Sequence, residues 1–143
     1  MKLREIMTDT VVRIHPKETV SVAARMLEHY NIGMLPVCGS DGRICGLITD
    51  RDIVTRCLAA DRSPGATSVA EVMTAKVIAA RPDTDAAEAA DLMGREQIRR
   101  LPVMENGRLC GMVSLGDLAR AKQTSSGAAD ALSAISSHIS KRE

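Results

Sequence analysis

The sequence predicts an α+β fold built from two tandem copies of one small strand-helix-strand-strand-helix (βαββα) unit. Two observations carry this prediction. Glycines, prolines and apolar positions recur about 66 residues apart along the 143-residue chain, and each copy changes from helical periodicity to strand signals at matching places. The composition, with 45% hydrophobic and 26% charged residues, is typical of a folded globular protein.

The repeat is carried by short motifs. Four motifs of the first half return in the second half at an offset of 66 positions, which becomes 65 after one residue is lost in a turn. The pairs are Ile6-Met7-Thr8 with Val72-Met73-Thr74, Leu35-Pro36-Val37 with Leu101-Pro102-Val103, Gly42 to Gly46 with Gly107 to Gly111, and Thr49-x-x-Asp52 with Ser114-x-x-Asp117. Chance does not align this many glycines and prolines, so we interpret the chain as an internal duplication.

The first copy is predicted to begin with a strand and a helix. A short strand over residues 11–14 ends before Pro16, and Thr19 is placed to cap the helix that follows. The apolar residues of that helix are spaced i, i+3, i+4, i+7, which predicts one buried stripe. They are Val20, Ala23, Ala24 and Leu27.

A hairpin and a second helix complete each copy. In the first copy, strands are predicted over residues 34–38 and 43–48. In the second copy, Asn106-Gly107 is a strong signal for a two-residue hairpin turn. The second helix is predicted to start near Thr49 in the first copy and near Ser114 in the second.

These signals divide the chain into a first repeat over residues 1–60, a polar linker over 61–68, a second repeat over 69–121 and a Ser/Ala-rich tail over 122–143. In the tail, the spacing of four apolar residues predicts a weak amphipathic helix that packs on the repeats or on a partner subunit. These residues are Ala131, Leu132, Ile135 and Ile139. Disorder of the tail is the alternative.

The charge and aromatic content exclude several function classes. Nineteen Lys and Arg against 18 Asp and Glu give a net charge of +1, so electrostatics favours neither nucleic acid nor a membrane surface as partner. The chain has no Phe, no Trp and a single Tyr, Tyr30. It therefore lacks the aromatic side chains on which single-stranded bases stack. No apolar run of about 18 residues and no signal-peptide pattern occurs, and we expect a soluble, cytoplasmic protein.

The cysteines and histidines form no metal-binding or catalytic pattern. The four cysteines include no C-x-x-C pair, and buried free thiols are expected. A disulfide or redox pair between Cys38 and Cys45, which flank one hairpin, is the alternative. The three histidines are far apart in sequence, and neither a nucleophile-base spacing nor a glycine-rich phosphate loop occurs. We therefore predict no catalysis, no metal and no cofactor.

Four segments of the chain resemble the CBS-domain family, in particular the small standalone bacterial CBS pairs. They are GMLPV at 33–37, CGLITDRDI at 45–53, QIRRLPV at 97–103 and CGMVSLGDLA at 110–119. The resemblance covers roughly residues 2–121 and includes two complete motif sets in order. It implies that the copies pack sheet to sheet around a pseudo-two-fold axis and leave two clefts that often hold adenosine compounds. It also implies a homodimer.

In that family each cleft combines the T/S-x-x-D motif of one copy with the first strand and the pre-proline residues of the other. Carried over by this resemblance, the first cleft is lined by Leu47, Thr49, Asp52, Val77, Ile78, Ile98, Arg99 and Arg100. The second is lined by Val11, Val12, Ile32, Gly33, Met34, Met112, Ser114 and Asp117.

Two interpretations of the T/S-x-x-D motif remain open. In a capping box, the hydroxyl accepts a backbone N–H at the helix start and the Asp reaches back, so no ligand is needed. In a ligand site, the carboxylate accepts the hydroxyls of a ribose beside a helix start that attracts an anion. Because Arg99 and Arg100 correspond to Gly33 and Met34, a phosphorylated nucleotide is expected to prefer the cleft of Asp52. A solvated surface pair is the alternative for the two arginines.

Two functions of different classes are compatible with these features. The first is a regulatory module that senses an adenosine-containing compound, such as AMP, ADP, ATP, NAD(H) or S-adenosylmethionine, and signals through an unknown protein partner. The second is a non-catalytic interaction or scaffold protein in which the T/S-x-x-D motifs serve as helix caps alone.

Overall fold

The computed structural model describes residues 1–121 and 125–142, with side chains described for 1–121 and 126–136. The chain divides into two compact units. The N-terminal unit is Val12–Val77, and the C-terminal unit is Met1–Val11 together with Ile78–Glu143. Each unit has a hydrophobic core of its own.

The N-terminal unit has a helix, a hairpin and two shorter helical segments. They are α1 (Val20–Tyr30), β1 (Met34–Cys38), β2 (Ile44–Thr49), α2 (Asp50–Asp52), which continues as a π-helix over Ile53–Leu58, and α3 (Val69–Val72). The cap at Thr19 is confirmed, because its hydroxyl oxygen accepts the Val22 N–H at 3.3 Å. The predicted helix start after Thr49 is confirmed as well.

The C-terminal unit repeats the helix-hairpin-helix order and adds one helix. After a 3-10 turn at Leu3–Glu5, its elements are α4 (Ala86–Glu96), β3 (Arg100–Glu105), β4 (Arg108–Ser114), α5 (Leu115–Arg120) and α6 (Ser125–Arg142). Among the helices of the described ranges, none is long and apolar enough to cross a lipid bilayer.

Each unit contains one two-stranded antiparallel sheet, β1 with β2 and β3 with β4. Asn106 and Gly107 connect β3 to β4 with φ values of 56° and 78°. A two-residue turn of type I′ requires such positive values at both positions, so the predicted hairpin turn is confirmed. The register shifts after Val37 in one sheet and after Val103 in the other, which shows that the duplication preserves the local strand geometry.

The predicted first strand of the first copy is reduced to a single bridging residue. Ile14 forms a parallel bridge to Val37, and Ala80 forms the equivalent bridge to Val103 in the C-terminal unit. The prediction of a longer strand ending at Ile14 is therefore wrong. Pro16 follows two residues later without an N–H to donate, so the ladder cannot continue far beyond Ile14.

The Met-Thr segments explain why the compact units differ from the sequence repeats. Thr8 pairs with Met112 through backbone hydrogen bonds of 2.9 Å in both directions, and Thr74 pairs with Leu47 at 2.8 and 2.9 Å. The segment that opens the first repeat thus completes the C-terminal unit. The segment that opens the second repeat completes the N-terminal unit, so packing exchanges the two opening segments.

The buried face of α1 is narrower than predicted. Val20, Ala23 and Leu27 are buried, but Ala24 is exposed, and the prediction for this residue is wrong. Its counterpart Ala90 on α4 is only 1% exposed, because α6 packs against α4. The N-terminal unit has no equivalent of α6 in its described residues, so the same repeat position remains in solvent.

The amphipathic helix predicted for the tail is confirmed as α6. Ala131 and Ile135 are buried, whereas Leu132 is 43% exposed. The side chain of Ile139 lies outside the described residues.

The polar linker over residues 61–68 is held against the start of α1. The Thr67 carbonyl accepts the Val20 N–H at 2.9 Å, and the Pro64 carbonyl accepts the Ser21 N–H at 3.1 Å. The Thr67 hydroxyl donates to the Ser63 carbonyl at 2.7 Å. The linker therefore satisfies N–H groups that the first turn of a helix leaves unpaired.

Candidate functional site

Both strand-helix junctions form complete capping boxes. The Thr49 hydroxyl oxygen accepts the Asp52 N–H at 3.0 Å, and Asp52 Oδ2 accepts the Thr49 N–H at 3.0 Å. Ser114 and Asp117 make the same pair of bonds at 3.0 and 2.8 Å. The capping-box geometry is present in both units, and the ligand-site interpretation is compatible with it. It leaves the hydroxyl protons and the second carboxylate oxygens for other partners.

Of the two motif carboxylates, Asp52 has more hydrogen-bonding and ionic partners than Asp117. The Thr74 hydroxyl donates to Asp52 Oδ1 at 3.2 Å, the Arg56 Nε lies 3.8 Å from the same oxygen, and Asp52 is 7% exposed. Asp117 is paired with Arg120, whose side chain is 74% exposed. Because an exposed ion pair is weak, the Asp117 carboxylate can exchange this partner for another at lower cost.

A cavity of about 570 Å³ lies in the C-terminal unit. Its walls come from the residues at the start of β3, the end of β4, α5 and α6. It is lined by Arg99, Arg100, Ser114, Leu115, Gly116, Ala119, Ala128, Ala129 and Leu132. The volume lies within the range of roughly 300–1,000 Å³ that is usual for small-molecule sites.

The strand register brings the arginines to Ser114. Arg100 and Ser114 are paired residues of β3 and β4, and the Arg99 carbonyl accepts the Leu115 N–H at 2.8 Å. Within the described ranges, neither guanidinium forms an ion pair with a carboxylate. Two cationic groups beside an apolar wall suit an anion that is attached to an apolar group.

The N-terminal unit has the same backbone arrangement without the cations. Met34 pairs with Thr49, and the Asp50 N–H donates to the Gly33 carbonyl at 3.3 Å. Gly33 and Met34 thus occupy the places that Arg99 and Arg100 occupy in the other unit. The difference between the two junctions lies in side chains and not in backbone geometry.

The residues predicted from the family resemblance fall in both units. In the N-terminal unit are Val12, Ile32, Gly33, Met34, Leu47, Thr49, Asp52 and Val77, and in the C-terminal unit are Val11, Ile78, Ile98, Arg99, Arg100, Met112, Ser114 and Asp117. The cavity brings together three of them, Arg99, Arg100 and Ser114. The predicted grouping of the arginines with Asp52 draws on both units and stays a prediction.

Sequence reasoning missed the wall that α6 contributes. Ala128, Ala129 and Leu132 line the cavity, yet the sequence shows only that the tail can form an amphipathic helix. The signal that could have located the docked face is the run of small or apolar residues at 128, 131 and 135, which are buried at helical spacing.

The four cysteines are free thiols. Cys38 and Cys57 are buried, Cys110 is partly buried and Cys45 is exposed, so the expectation of buried thiols is wrong for Cys45 and holds only in part for Cys110. Burial raises the pKa of Cys38, and it also raises the pKa of Cys45 and of Cys110. Protonated thiols are poor nucleophiles. The described part of the chain gathers no group of three or more Cys, His, Asp or Glu side chains suited to a metal.

Comparison with known proteins gives a consistent match. The sequence profile of the family described as CBS domain matches residues 3–59 and 69–124, one match for each repeat. CBS domain-containing protein YhcV of Bacillus subtilis is 37% identical over 134 residues, which is 94% of this chain and 94% of that protein.

Two solved structures share the fold. Hypoxic Response Protein I, solved with two coordinated zinc ions, is 35% identical with a TM-score of 0.77, and the match covers 84% of this chain and 98% of that chain. The CBS domain pair of protein MJ0100, solved in complex with 5′-methylthioadenosine and S-adenosyl-L-methionine, is 28% identical with a TM-score of 0.74. That match also covers 84% of this chain and 98% of the other.

Proposed function

This chain belongs to the CBS domain family, and from that premise we propose that it is a regulatory module that binds an adenosine-containing compound and signals through protein contacts. The observation that carries the proposal is the cavity of about 570 Å³ in which Arg99, Arg100 and Ser114 share space with an apolar wall. Such a site suits a molecule with an anionic end and an apolar body, as in AMP, ADP, ATP or NAD(H).

The anionic end is assigned to the two arginines. A guanidinium binds a phosphate through two parallel N–H bonds, which makes Arg the preferred side chain for this contact. The Ser114 hydroxyl oxygen accepts the Asp117 N–H at 3.0 Å, and its O–H proton is available to donate to the same phosphate. This assignment places the phosphate beside Ser114, whereas the sequence-based expectation favours the cleft of Asp52.

The adenosine part is assigned to aliphatic side chains and to Asp117. Leu115, Ala119 and Leu132 line the cavity and give an apolar surface for the base. Asp117 accepts the N–H of the lining residue Ser114, and we assign it to accept hydrogen bonds from the ribose hydroxyls after it releases the exposed Arg120. The complex of the MJ0100 CBS pair with 5′-methylthioadenosine and S-adenosyl-L-methionine supports adenosine compounds as the ligand class.

Thermal-shift measurements on the full chain test this proposal. AMP, ADP, ATP, NAD(H) and S-adenosylmethionine are each added, and at least one is expected to raise Tm. The Arg99→Ala/Arg100→Ala variant is expected to lose that shift. Arg108→Ala is the control, because it removes one arginine at the opposite end of the hairpin, where Arg108 pairs with Glu105. No response to any compound at millimolar concentration contradicts the proposal.

A scaffold function without a ligand is the second candidate, and one observation favours it. Both T/S-x-x-D motifs form capping boxes, and this role explains the residue types without a ligand. The thermal-shift panel separates the two functions, since a scaffold gives no response to any nucleotide. Neither candidate assigns catalysis to the chain.

We also propose that the chain forms a homodimer through the exposed side of the π-helix Ile53–Leu58 in the N-terminal unit. Val54 and Leu58, four residues apart on the π-helix, are 54% and 52% exposed, and neighbouring exposed apolar side chains mark interaction sites. Sedimentation velocity is expected to give a dimer for the wild type and a monomer for Val54→Ser/Leu58→Ser. A monomeric wild type overturns this assignment. We further propose that the protein acts in the cytoplasm and that it signals through a protein partner that is not yet identified.

A further inference from the structure

The helix α6 is docked on the C-terminal unit by small side chains. Ala128, Ala131 and Ile135 are 1%, 4% and 5% exposed, and α6 packs against both α4 and α5. These residues recur at 128, 131 and 135 and therefore form one face of the helix.

The approach of α6 to α4 is too close for larger residues. A Cβ atom on Gly94 would lie 3.3 Å from the Ala131 Cα, and a Cβ on Gly127 would lie 3.3 Å from the Ala90 Cβ. Among the α6 side chains that the structure describes, residues 126–136, Ile135 is the one large buried side chain, and the contact with α4 depends on close fit. A helix held in this way can be displaced by a single bulky or charged residue.

The same helix forms one wall of the candidate ligand cavity. Ala128, Ala129 and Leu132 line it from α6, while Arg99 and Arg100 line it from the start of β3. Leu132 is 43% exposed although it is a large apolar side chain. A ligand in the cavity would cover apolar surface that the docked helix presents, so the cavity is complete only when α6 is docked.

We propose that α6 completes the nucleotide site, and that ligand binding and α6 docking stabilise each other. This inference rests on the proposed function. The phosphate contacts Arg99 and Arg100, and the base lies against Ala129 and Leu132. Because the ligand contacts α6 only in the docked state, it shifts the chain toward that state. By linkage, the factor by which the ligand favours docking of α6 equals the factor by which docking favours ligand binding. A variant whose α6 is undocked therefore loses that factor in ligand affinity. The occupied module thereby differs from the empty one in the surface that it offers to a partner.

The test uses two alanines of α6 that differ in burial. Ala131→Glu places a charge at a position that is 4% exposed and does not line the cavity, so it undocks the helix without changing a ligand contact. Ala134→Glu is the matched control, because it makes the same chemical change at an exposed position of the same helix. Gly94→Leu undocks α6 from the α4 side without adding charge, and serves if Ala131→Glu folds poorly.

Calorimetric titration with AMP gives the primary readout on the full-length variants. Ala131→Glu and Gly94→Leu are expected to bind AMP at least about tenfold more weakly than wild type, with Ala134→Glu within about twofold of it. Hydrogen exchange is expected to show that AMP slows exchange of the α6 amides in the wild type. If AMP binds all four chains equally, the inference about α6 is wrong while the proposed function stands. If no compound of the thermal-shift panel, AMP included, binds the wild type, both are overturned.

Discussion

Met7 packs so closely over Gly111 that a Cβ atom on Gly111 would lie 2.5 Å from the Met7 sulfur. The duplication repeats this contact, with Met73 over Gly46 at 2.7 Å from the sulfur to the added Cβ. The close approach of a Met-Thr segment to a strand edge therefore favours glycine at both positions. The two sites differ in one respect, because a Cβ on Gly46 would also lie 2.8 Å from the Thr74 carbonyl oxygen.

Alanine is predicted to be more harmful at Gly46 than at Gly111. At Gly111 the atoms in the way belong to the flexible Met7 side chain, whereas at Gly46 a backbone carbonyl must move as well. We expect Gly46→Ala to destabilise the fold by about 2–3 kcal/mol and Gly111→Ala by about 1 kcal/mol. Urea unfolding measures both values.

Two comparisons make that prediction specific. Gly65→Ala is the control, because its added Cβ would be 3.8 Å from the nearest atom, the Ser21 hydroxyl oxygen, and it should leave stability nearly unchanged. Met7→Ala should partly rescue Gly111→Ala, while Met73→Ala should not rescue Gly46→Ala. Equal costs at the two glycines would show that the Thr74 carbonyl does not decide the difference.

Removal of the two motif carboxylates is predicted to separate stability from ligand binding. Asp52→Ala leaves the Thr74 hydroxyl and the Thr49 N–H without their acceptor, and we expect a loss of about 2–3 kcal/mol in unfolding free energy. Asp117→Ala removes one capping interaction beside an exposed arginine, with an expected loss of about 1 kcal/mol.

The two substitutions are expected to rank in the opposite order for their effect on ligand affinity. Asp117→Ala is expected to weaken AMP binding more than Asp52→Ala does, as measured by calorimetry on variants that remain folded at the assay temperature. Asp91→Ala, an exposed position on α4, is the control for both measurements. A greater loss for Asp52→Ala would return the nucleotide to the cleft that the sequence alone favours.

The loss of unfolding free energy at acid pH is predicted to depend on Glu71. Hydrogen bonds from the Ser68 N–H and then from the Ser68 hydroxyl, with the Arg62 guanidinium beside them, lower the pKa of this carboxyl. A carboxyl with a lowered pKa in the folded state stabilises the fold above its unfolded pKa of about 4.3, and this stabilisation is lost as pH falls through the folded pKa.

The Glu71→Gln variant tests that dependence. Its urea-unfolding free energy should fall less steeply than that of the wild type below pH 5, because the group no longer titrates. Glu88→Gln, which neutralises an exposed carboxyl at the first turn of α4, is the comparison. The assignment is wrong if Glu71→Gln and the wild type lose stability in parallel.

The parts of the fold that sequence could predict are those fixed by local chemistry. Thr19 caps α1 and Asn106-Gly107 closes a hairpin because these residue types have strong local preferences at such places. The exposure of Ala24 could not be predicted in this way. Its counterpart Ala90 is buried only because α6 returns to cover it, and that contact depends on packing between distant segments.

The same distinction between local chemistry and packing of distant segments applies to the candidate site. The family resemblance predicts Arg99 and Arg100 for one cleft and Ser114 for the other, whereas the strand register brings all three to one cavity. The exchange of the Met-Thr segments between units and the wall formed by Ala129 and Leu132 were not predicted. Both arise from long-range packing. The spacing of apolar residues marks a face of α6 that packs, but it does not identify the surface against which that face packs.

The central claim is that Arg99 and Arg100 bind the anionic end of an adenosine compound, and calorimetric titration with AMP tests it most directly. The account predicts that the wild type and Arg108→Ala bind AMP with affinities within about twofold of each other, since Arg108 lies outside the cavity. It predicts that Arg99→Ala/Arg100→Ala binds at least about tenfold more weakly, because charge-assisted hydrogen bonds are lost. Equal AMP affinity in all three chains would contradict the account.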